Sequence, residues 1–324
     1  MKAMIYKKYG QENELKLIET DSPTPKDHEV LIKVHAVSLN RVDVILLTGK
    51  PFFIRLAGCG LLKPKHSVLG ADVSGVVEIV GKNVIQFKPG DEVFGDLSAC
   101  GIGGLAEYVC ADEKALALKP ANISFEEAAA APMAAVTALQ ALKRIRAIQP
   151  GEKVLINGAS GGVGSFAVQI AKSFGAEVTA VCSTRNLEMV RQIGADYIID
   201  YTKEDFTLNE KQYDVIIGAN GYHSLKDYQR ALSSNGVYVM SGGTGAQVFE
   251  GLFFGHMMEK KDKKVMSSVA GKPKQADLMV IKNLLETGKI KSVIDGTYKL
   301  NEVAEAFKVM REHRAKGKIV VTIS

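Results

Sequence analysis

A glycine-rich turn in the middle of the chain carries the strongest chemical signal in this sequence. The apolar run Val154–Ile156 is typical of a strand buried on both faces, and the spacing Ala159-x-Gly161-x-x-Gly164 follows it directly. Such a turn lets the backbone and the first N–H groups of the next helix approach a pyrophosphate. A tight turn without a ligand is the alternative, but the flanking strand and helix patterns favour a dinucleotide. The predicted contact residues are Ser160, Gly161, Gly162, Val163 and Gly164.

The residues after the second predicted strand, Glu177–Val181, indicate which dinucleotide is bound. An acidic residue here would hydrogen-bond a ribose 2′-hydroxyl and repel a 2′-phosphate, but the chain has Cys182. The hydroxyl of Ser183 and the guanidinium of Arg185 suit a phosphate, which favours NADPH. The alternative is that Ser183 caps a helix beginning near Asn186 and that Arg185 is solvated.

Further candidate cofactor contacts follow the later strands of the same pattern. Tyr201 comes after the strand-like run Tyr197–Asp200 and is a candidate to cover the adenosine phosphate, with a half-buried edge tyrosine as an equal alternative. Ligands bind beyond the carboxyl ends of parallel strands, so the two following loops should also line the cofactor cleft. Their candidate residues are Ala219, Asn220, Ser241 and Gly242.

Two kinds of sequence pattern divide the chain and must position these residues. Residues 1–122 contain short strand-like runs separated by glycine and proline, which is typical of a β-barrel. Residues 123–270 alternate six strand-like runs with helical patterns, which predicts a doubly wound parallel sheet. Residues 271–324 no longer alternate strictly, and we expect their last strand to return to the first domain. The predicted fold class is α/β.

Composition argues against several other classes of protein. The chain has 324 residues and a formal net charge of +5, and a solvated helix face explains its densest basic run, Lys260–Lys264, better than a nucleic-acid site does. No run reaches transmembrane length, so we expect a cytoplasmic protein without membrane or nucleic-acid partners. The four cysteines have no paired short spacing and are expected to be free thiols. The apolar segments Pro51–Leu56 and Phe253–Met258 are candidates for a substrate pocket, a subunit interface or ordinary core.

Five motifs spread along the chain carry a family resemblance. The chain resembles the medium-chain dehydrogenase/reductase superfamily, and within it the zinc-free quinone oxidoreductases, including zeta-crystallin-like proteins and plant alkenal or enone reductases. This resemblance implies a GroES-like β-barrel domain, a Rossmann domain with a six-stranded parallel sheet, and a homodimer or homotetramer. The matching motifs are Ala36–Asp43, Leu69–Gly75, Phe87–Val93, Gly103–Tyr108 and Ala159–Gly164.

The resemblance also bears on whether a metal ion is bound. Zinc alcohol dehydrogenases of this superfamily have a Cys where this chain has Asn40, a His-Glu pair at Ala71-Asp72, and a third ligand near Met133. An amide, a methyl group and a thioether cannot replace thiolate and imidazole around zinc. We therefore predict that no catalytic zinc is bound.

The absence of a Lewis acid would limit which substrates can accept a hydride. Quinones and α,β-unsaturated carbonyl compounds accept it at carbon and delocalise the negative charge, so they need less stabilisation than an alkoxide. The resemblance thus implies an NADPH-dependent reductase of quinones or enones. A non-catalytic NADPH-binding protein of the zeta-crystallin type is the main alternative, and a zinc-dependent alcohol dehydrogenase is a remote one.

The resemblance assigns roles to three further residues. Asn40 is expected beside the nicotinamide ribose, where it could hydrogen-bond the substrate oxygen, and Asp43 is expected to orient that loop. Thr137 matches a threonine beside the nicotinamide carboxamide. The alternative for Asn40 and Asp43 is ordinary turn chemistry, and for Thr137 a hydrogen bond to a carbonyl of its own helix.

Overall fold

The computed structural model describes residues 1–52, 54–144, 146–221, 223–242, 263–269, 271–312 and 315–323. These residues form two compact units. Unit 1 consists of residues 1–133, 272–287 and 292–324, and unit 2 consists of residues 134–271 and 288–291. No helix in the described part of the chain is long and apolar enough to cross a membrane. The segment Phe253–Met258 lies outside the described residues.

The strands and helices are numbered in chain order. The strands are β1 Lys2–Ile5, β2 Lys16–Glu19, β3 Glu29–Leu39, β4 Asp72–Val80, β5 Glu92–Asp96, β6 Tyr108–Asp112, β7 Leu116–Leu118, β8 Lys153–Asn157, β9 Glu177–Cys182, β10 Tyr197–Asp200, β11 Tyr213–Gly218, β12 Leu232–Met240, β13 Val265–Ser268, β14 Ile294–Lys299 and β15 Lys318–Thr322. The helices are α1 Arg41–Thr48, α2 Phe125–Ala129, α3 Pro132–Leu142, α4 Gly162–Ser173, α5 Leu187–Gln192, α6 Leu225–Ala231, α7 Gln275–Glu286 and α8 Val303–Arg311.

Unit 1 is built on a seven-stranded sheet with the order β14-β15-β3-β4-β5-β7, and β6 also pairs with β3. The pairs are antiparallel except for β14 with β15. The last strand returns to the first part of the chain, because Val320 of β15 lies opposite Ser38 of β3. This pairing forms because Ile319–Val321 are apolar and fully buried within the sheet. The β-sheet of unit 1 is therefore completed by the C-terminal strand β15.

Helix α2 belongs to unit 1, so the division between the units follows Met133 rather than Asn122, where the sequence pattern changes. The physical reason is packing, since Ala129 and Ala130 are buried against Ala36 and Val320 of the sheet. The hydroxyl of Ser74 in β4 also donates to the carbonyl of Phe125 at 2.6 Å. Helix α2, which the sequence pattern grouped with the second domain, therefore lies in unit 1.

The loop after α1 exposes apolar side chains. Phe52 and Leu56 are 60% and 66% exposed, so they are not ordinary core residues. The guanidinium of Arg55 lies 4.2 Å from the ring centroid of Tyr9, and the Tyr9 hydroxyl donates to the carbonyl of Cys59 at 2.8 Å. The loop is thus tied to the chain after β1 while part of its apolar surface faces solvent.

Unit 2 contains the six-stranded parallel sheet that the sequence predicts. Its order is β10-β9-β8-β11-β12-β13, and all of its pairs are parallel. Strands β9 and β10 extend from one side of β8, whereas β11, β12 and β13 extend from the other. Helix α4 packs through Phe166 and Ile170, both fully buried, and each such side chain contributes roughly 1.5–3 kcal/mol.

Three glycines in the turn from β8 into the first residues of α4 have different structural reasons. Gly158 has a φ of +85°, which favours glycine strongly, and a Cβ there would lie 2.7 Å from the amide nitrogen of Asn220. A Cβ at Gly164 would clash with the carbonyl oxygen of Gly158. Gly161 has an ordinary φ of −84°, and a Cβ there would find only the Gly158 oxygen, at 3.6 Å. The fold therefore requires Gly158 and Gly164 but leaves open space at Gly161.

This contrast predicts different effects of alanine at the two helix glycines. Gly164→Ala should lower the free energy of unfolding by roughly 1–3 kcal/mol, because the new methyl group meets backbone atoms that cannot move aside. Gly161→Ala is the matched control and should cost at most about 1 kcal/mol, since only the N-cap preference changes. Urea unfolding followed by circular dichroism measures both, and equal losses would contradict the packing argument.

Candidate functional site

The start of helix α4 offers unpaired backbone donors at the carboxyl edge of the unit 2 sheet. The N–H groups of Gly162, Val163 and Gly164 lie in the first helical turn and have no acceptor within the helix. Gly161, the N-cap residue, has no side chain to cap them, so the positive end of the helix is open. The open space at Gly161 and these donors together form a cradle for a phosphate group.

The first glycine of this turn is Gly158 rather than the position of Ala159. Ala159 is fully buried, and its N–H donates to the carbonyl of Val181 at 3.0 Å. The positive φ of Gly158 performs the tight turn that the first glycine of such a motif usually provides. The spacing Gly158-x-x-Gly161-x-x-Gly164 contains this signal, but the sign of φ is not visible in the sequence.

A buried asparagine organises two of the predicted cofactor contacts. Nδ2 of Asn186 donates to Oγ of Ser160 at 2.8 Å and to Oγ of Ser183 at 3.3 Å. Because each hydroxyl accepts from Asn186, its own hydrogen remains available for an acceptor. Ser183 precedes the helical turn Thr184–Asn186 without a side-chain capping bond, and Arg185 is exposed, as the alternative prediction expected for it. The predicted contact of Ser183 and Arg185 with a 2′-phosphate stays a prediction. The sequence pattern did not indicate this role of Asn186.

An acidic residue does lie beside Cys182, but on the neighbouring strand. Asp200 is opposite Cys182 in the register of β10 and β9. Its carboxylate accepts from the Thr184 hydroxyl at 2.5 Å and from the Thr202 hydroxyl and N–H at 2.8 and 3.1 Å. The hydrogen bond from Thr184, followed by those from Thr202, lowers the pKa of Asp200. Tyr201 is 62% exposed, so it is not the half-buried edge residue of the alternative prediction.

The loops after β11 and β12 lie at the same edge of the sheet. The N–H groups of Ala219 and Asn220 donate to the carbonyl of Asn157, at 3.0 and 3.1 Å. In the next loop, Ser241 and Gly242 donate to the carbonyl of Gly218, at 3.0 and 3.2 Å. The Ser241 hydroxyl is buried without a hydrogen-bond partner in the described residues. The order of the sheet reverses between β8 and β11, which is where ligands bind in such sheets.

Thr137 is buried on helix α3 in unit 2. No hydrogen bond from its hydroxyl to a carbonyl of the preceding helical turn is present among the described residues. A Cβ at Gly271 would clash with this hydroxyl, so the backbone of Gly271 lies directly against it. The predicted contact of Thr137 with a nicotinamide carboxamide stays a prediction.

In unit 1, Asp43 fixes the turn that begins helix α1. Its two carboxylate oxygens accept from the N–H of Asn40 at 2.8 Å and from the N–H of Gly70 at 2.9 Å. The side chain is fully buried, and burial raises its pKa to about 6 even though the two N–H donors oppose the shift. These bonds are the turn chemistry that the alternative expected, and a role of Asp43 at a nicotinamide site stays a prediction.

Asn40 belongs to a buried polar cluster that sequence reasoning identified only in part. Its Nδ2 donates to Oδ2 of Asp72 at 2.8 Å and to the carbonyl of Ser38 at 3.2 Å. Its Oδ1 accepts from Nζ of Lys318 at 2.5 Å. Both amide hydrogens are therefore already used, and the predicted hydrogen bond from Asn40 to a substrate oxygen would require one of these bonds to break.

The polar residues of this cluster share one face of the unit 1 sheet. Ser38 lies opposite Asp72, and Asp72 lies opposite Asp96, so the three side chains point to the same side. Lys318 precedes Val320 by two residues and, because Val320 lies opposite Ser38, is on that side as well. Burial raises the pKa of Asp72 to about 7, raises that of Asp96 and lowers that of Lys318.

The donor set of the cluster does not fit a zinc ion. Oδ2 of Asp72 accepts from Asn40 and lies 3.5 Å from Nζ of Lys318, and its Oδ1 accepts from the N–H of Met133 at 2.9 Å. Both carboxylate oxygens are thus occupied by protein donors, and an ammonium group lies where a metal would add a second positive charge. Within the described ranges, no group of three His, Cys, Asp or Glu side chains is arranged to hold a metal ion.

Comparison with known proteins identifies the relatives of this chain. Residues 26–121 match the alcohol dehydrogenase GroES-like domain family, and residues 193–321 match the zinc-binding dehydrogenase family. The chain is 36% identical to the chloroplast envelope quinone oxidoreductase homolog of Arabidopsis thaliana, with 99% of this chain and 98% of that protein covered. It is 38% identical to the chloroplastic NADPH-dependent alkenal/one oxidoreductase of the same plant, covering 99% and 79%.

A solved structure shows the same fold over the whole chain. The quinone oxidoreductase from Coxiella burnetii superposes with a TM-score of 0.86 at 30% sequence identity, and 100% of this chain and 99% of that chain are covered. Fold and sequence relationships therefore agree.

The raised pKa of Asp43 predicts a pH-dependent effect of its removal. Asp43→Asn should lower the free energy of unfolding by about 2–4 kcal/mol at pH 7, because an amide cannot accept from both N–H groups. The folded pKa of about 6 lies above the ordinary 3.8, so the wild type loses stability as pH rises between these values. The difference in the free energy of unfolding between variant and wild type should therefore shrink as the pH rises from acidic to neutral.

Urea titrations across this pH range measure the effect. Asp91→Asn is the control, because Asp91 also accepts a turn N–H, from Lys88 at 2.9 Å, but is only half-buried. A difference for Asp43→Asn that is constant with pH would contradict the assignment.

Proposed function

Because this chain belongs to the quinone oxidoreductase family of the medium-chain dehydrogenase/reductase superfamily, we propose that it reduces quinones or the C=C bond of α,β-unsaturated carbonyl compounds with NADPH. The observation that carries the proposal is the cradle at Gly161, where the chain leaves open space in front of unpaired helix N–H groups. A glycine with an ordinary φ and room for a side chain has no reason within the fold, whereas a closely approaching pyrophosphate supplies one.

Different residues around the phosphate cradle would contact different parts of the cofactor. The N–H groups of Gly162 to Gly164 bind the pyrophosphate, and the Ser160 hydroxyl, oriented by Asn186, donates a further hydrogen bond. Ala219, Asn220, Ser241 and Gly242 line the carboxyl edge of the neighbouring strands. The unpartnered Ser241 hydroxyl is available to a polar group of the ligand.

Three features support NADPH over NADH. The Ser183 hydroxyl accepts from Asn186 and keeps its hydrogen for an anion, and Arg185 is exposed beside it. Asp200, the nearby acid, is committed to Thr184 and Thr202 rather than directed at a ribose. A 2′-phosphate bound after β9 would therefore lie near the hydrogen-bond donors of Ser183 and Arg185.

The chemistry requires little from the protein beyond orientation. When bound, the cofactor supplies the hydride. Quinones and enones take it at carbon and carry the resulting negative charge on a hydroquinone or enolate oxygen, and solvent supplies the proton that completes the product. Because the polar cluster of unit 1 does not fit zinc, the proposed reaction uses no metal ion. The predicted homodimer or homotetramer and the cytoplasmic location stay predictions.

Turnover with two classes of acceptor tests the proposal. We expect the purified protein to oxidise NADPH with a benzoquinone and with an alkenal or enone, and to keep this activity after incubation with EDTA. Absorbance at the nicotinamide band follows the reaction. Binding of NADPH without turnover of either class would instead support a non-catalytic NADPH-binding protein, and loss of activity to the chelator would favour a zinc enzyme.

Arg185→Ala tests the cofactor preference. Removal of a charge-assisted hydrogen bond of about 1.5–3 kcal/mol should raise the KM for NADPH roughly 10- to 100-fold and leave the KM for NADH unchanged. Arg191→Ala is the matched control, because Arg191 is an exposed arginine of α5 in the same unit that pairs with Glu188 at 2.9 Å. Equal losses for both cofactors would show that Arg185 does not contact the 2′-phosphate.

A further inference from the structure

Lys318 is a buried cation at the centre of the polar cluster in unit 1. Its side chain is only 4% exposed, and its Nζ lies 2.5 Å from Oδ1 of Asn40 and 3.5 Å from Oδ2 of Asp72. Burial lowers the pKa of Lys318, and the negative charges of Asp72 in β4, Asp43 in α1 and Asp96 at the end of β5 oppose this shift. No other Lys or Arg side chain is ion-paired with these carboxyl groups among the described residues.

Burial of the Lys318 ammonium group costs free energy, which indicates a role for this side chain beyond packing. Lysine is almost never fully buried without a partner, and removal of an ammonium group from water costs several kcal/mol. The strand that carries it is otherwise apolar, since Ile319, Val320 and Val321 are fully buried. Packing alone would be satisfied by an apolar side chain at this position.

The cluster brings together positions at which zinc dehydrogenases of the superfamily have ligands. Hydrogen bonds join the side chains of Asn40 and Asp72 and the N–H of Met133. The ammonium group of Lys318 contacts Oδ1 of Asn40 and Oδ2 of Asp72. A divalent cation at this point would have to displace an ammonium group that already satisfies these oxygens.

We propose that Lys318 takes the place of the metal ion and acts as a positioning residue for the reaction, holding Asn40 and Asp72 in one arrangement. The inference rests on the proposed function. The ammonium donates to Oδ1 of Asn40, so the amide must direct its two hydrogens to Asp72 and Ser38. Asn40 begins the loop that Asp43 ties to Gly70, and Lys318 thereby fixes the orientation of that loop. Lys318 acts through Asn40 and not by contact with the substrate.

Substitutions at Lys318 and Asn40 test this role. Lys318→Met should lower kcat by roughly 10- to 100-fold, because small displacements of a positioned group have effects of this size, while the Kd for NADPH should stay within about twofold. Lys318→Arg keeps the cation and should retain more of kcat than Lys318→Met. If Lys318 acts through Asn40, the double variant Lys318→Met/Asn40→Ala should lose little more than the more affected single variant. Lys33→Met on the exposed side of β3 is the control and should be unchanged.

A second variant keeps the test valid if Lys318→Met fails to fold. Lys318→Met/Asp72→Asn removes both charges of the pair, which is tolerated far better than one unpaired buried charge, and should fold and still show the low kcat. Wild-type kcat in this variant or in a folded Lys318→Met, or additive losses in the Asn40 double variant, would overturn the inference.

Metal analysis separates this inference from the proposed function. Wild-type protein equilibrated with Zn²⁺ and then desalted should retain far less than one zinc per chain by mass spectrometry, whether or not an acceptor is turned over. Stoichiometric zinc at the cluster, lost on Asp72→Asn, would overturn the role of Lys318. A wild type that turns over no quinone or enone would overturn the proposed function. The zinc content would then decide whether Lys318 takes the place of the metal ion.

Discussion

The antiparallel pairing of β15 with β3 is the constraint on which unit 1 depends. These strands come from opposite ends of the chain, so their pairing closes a very long loop and lowers the entropy of the chain. The hydrogen bonds between the strands and the buried apolar area offset this loss. The register then follows from packing, because Val320 must lie under α2 beside Ala36. The same register brings Lys318 to Asn40. One pairing thus builds the sheet and places its buried cation.

Unit 2 depends on a second close approach, at the turn between β8 and α4. The backbone of Asn220 leaves no room for a side chain at Gly158, and the carbonyl of Gly158 leaves none at Gly164. The turn, the loop after β11 and the loop after β12 therefore lie together at the point where the strand order reverses. Packing thus requires glycine at Gly158 and Gly164, whereas a side chain at Gly161 would find open space.

Local signals account for what sequence reasoning predicted well. The parallel sheet and the glycine turn are encoded within short stretches, in which strand, turn and helix patterns follow one another. The roles of Asn186 and Lys318 were missed for a different reason. Each depends on partners that are distant in sequence, Ser160 for Asn186 and Asn40 for Lys318. A lysine within an apolar strand was the one signal available.

The amino-acid sequence by itself determined the class of fold, the family and the glycine turn between β8 and α4, because these follow from residue types at fixed local spacings. Only the tertiary structure decided how Asn40 uses its amide. Strand register brings Ser38, Asp72 and Lys318 around it. Ser38 and Asp72 accept the two amide hydrogens that a substrate would need, and Lys318 donates to the amide oxygen. Hydrogen-bond capacity is a property of the assembled neighbourhood, and no spacing along one strand reveals it.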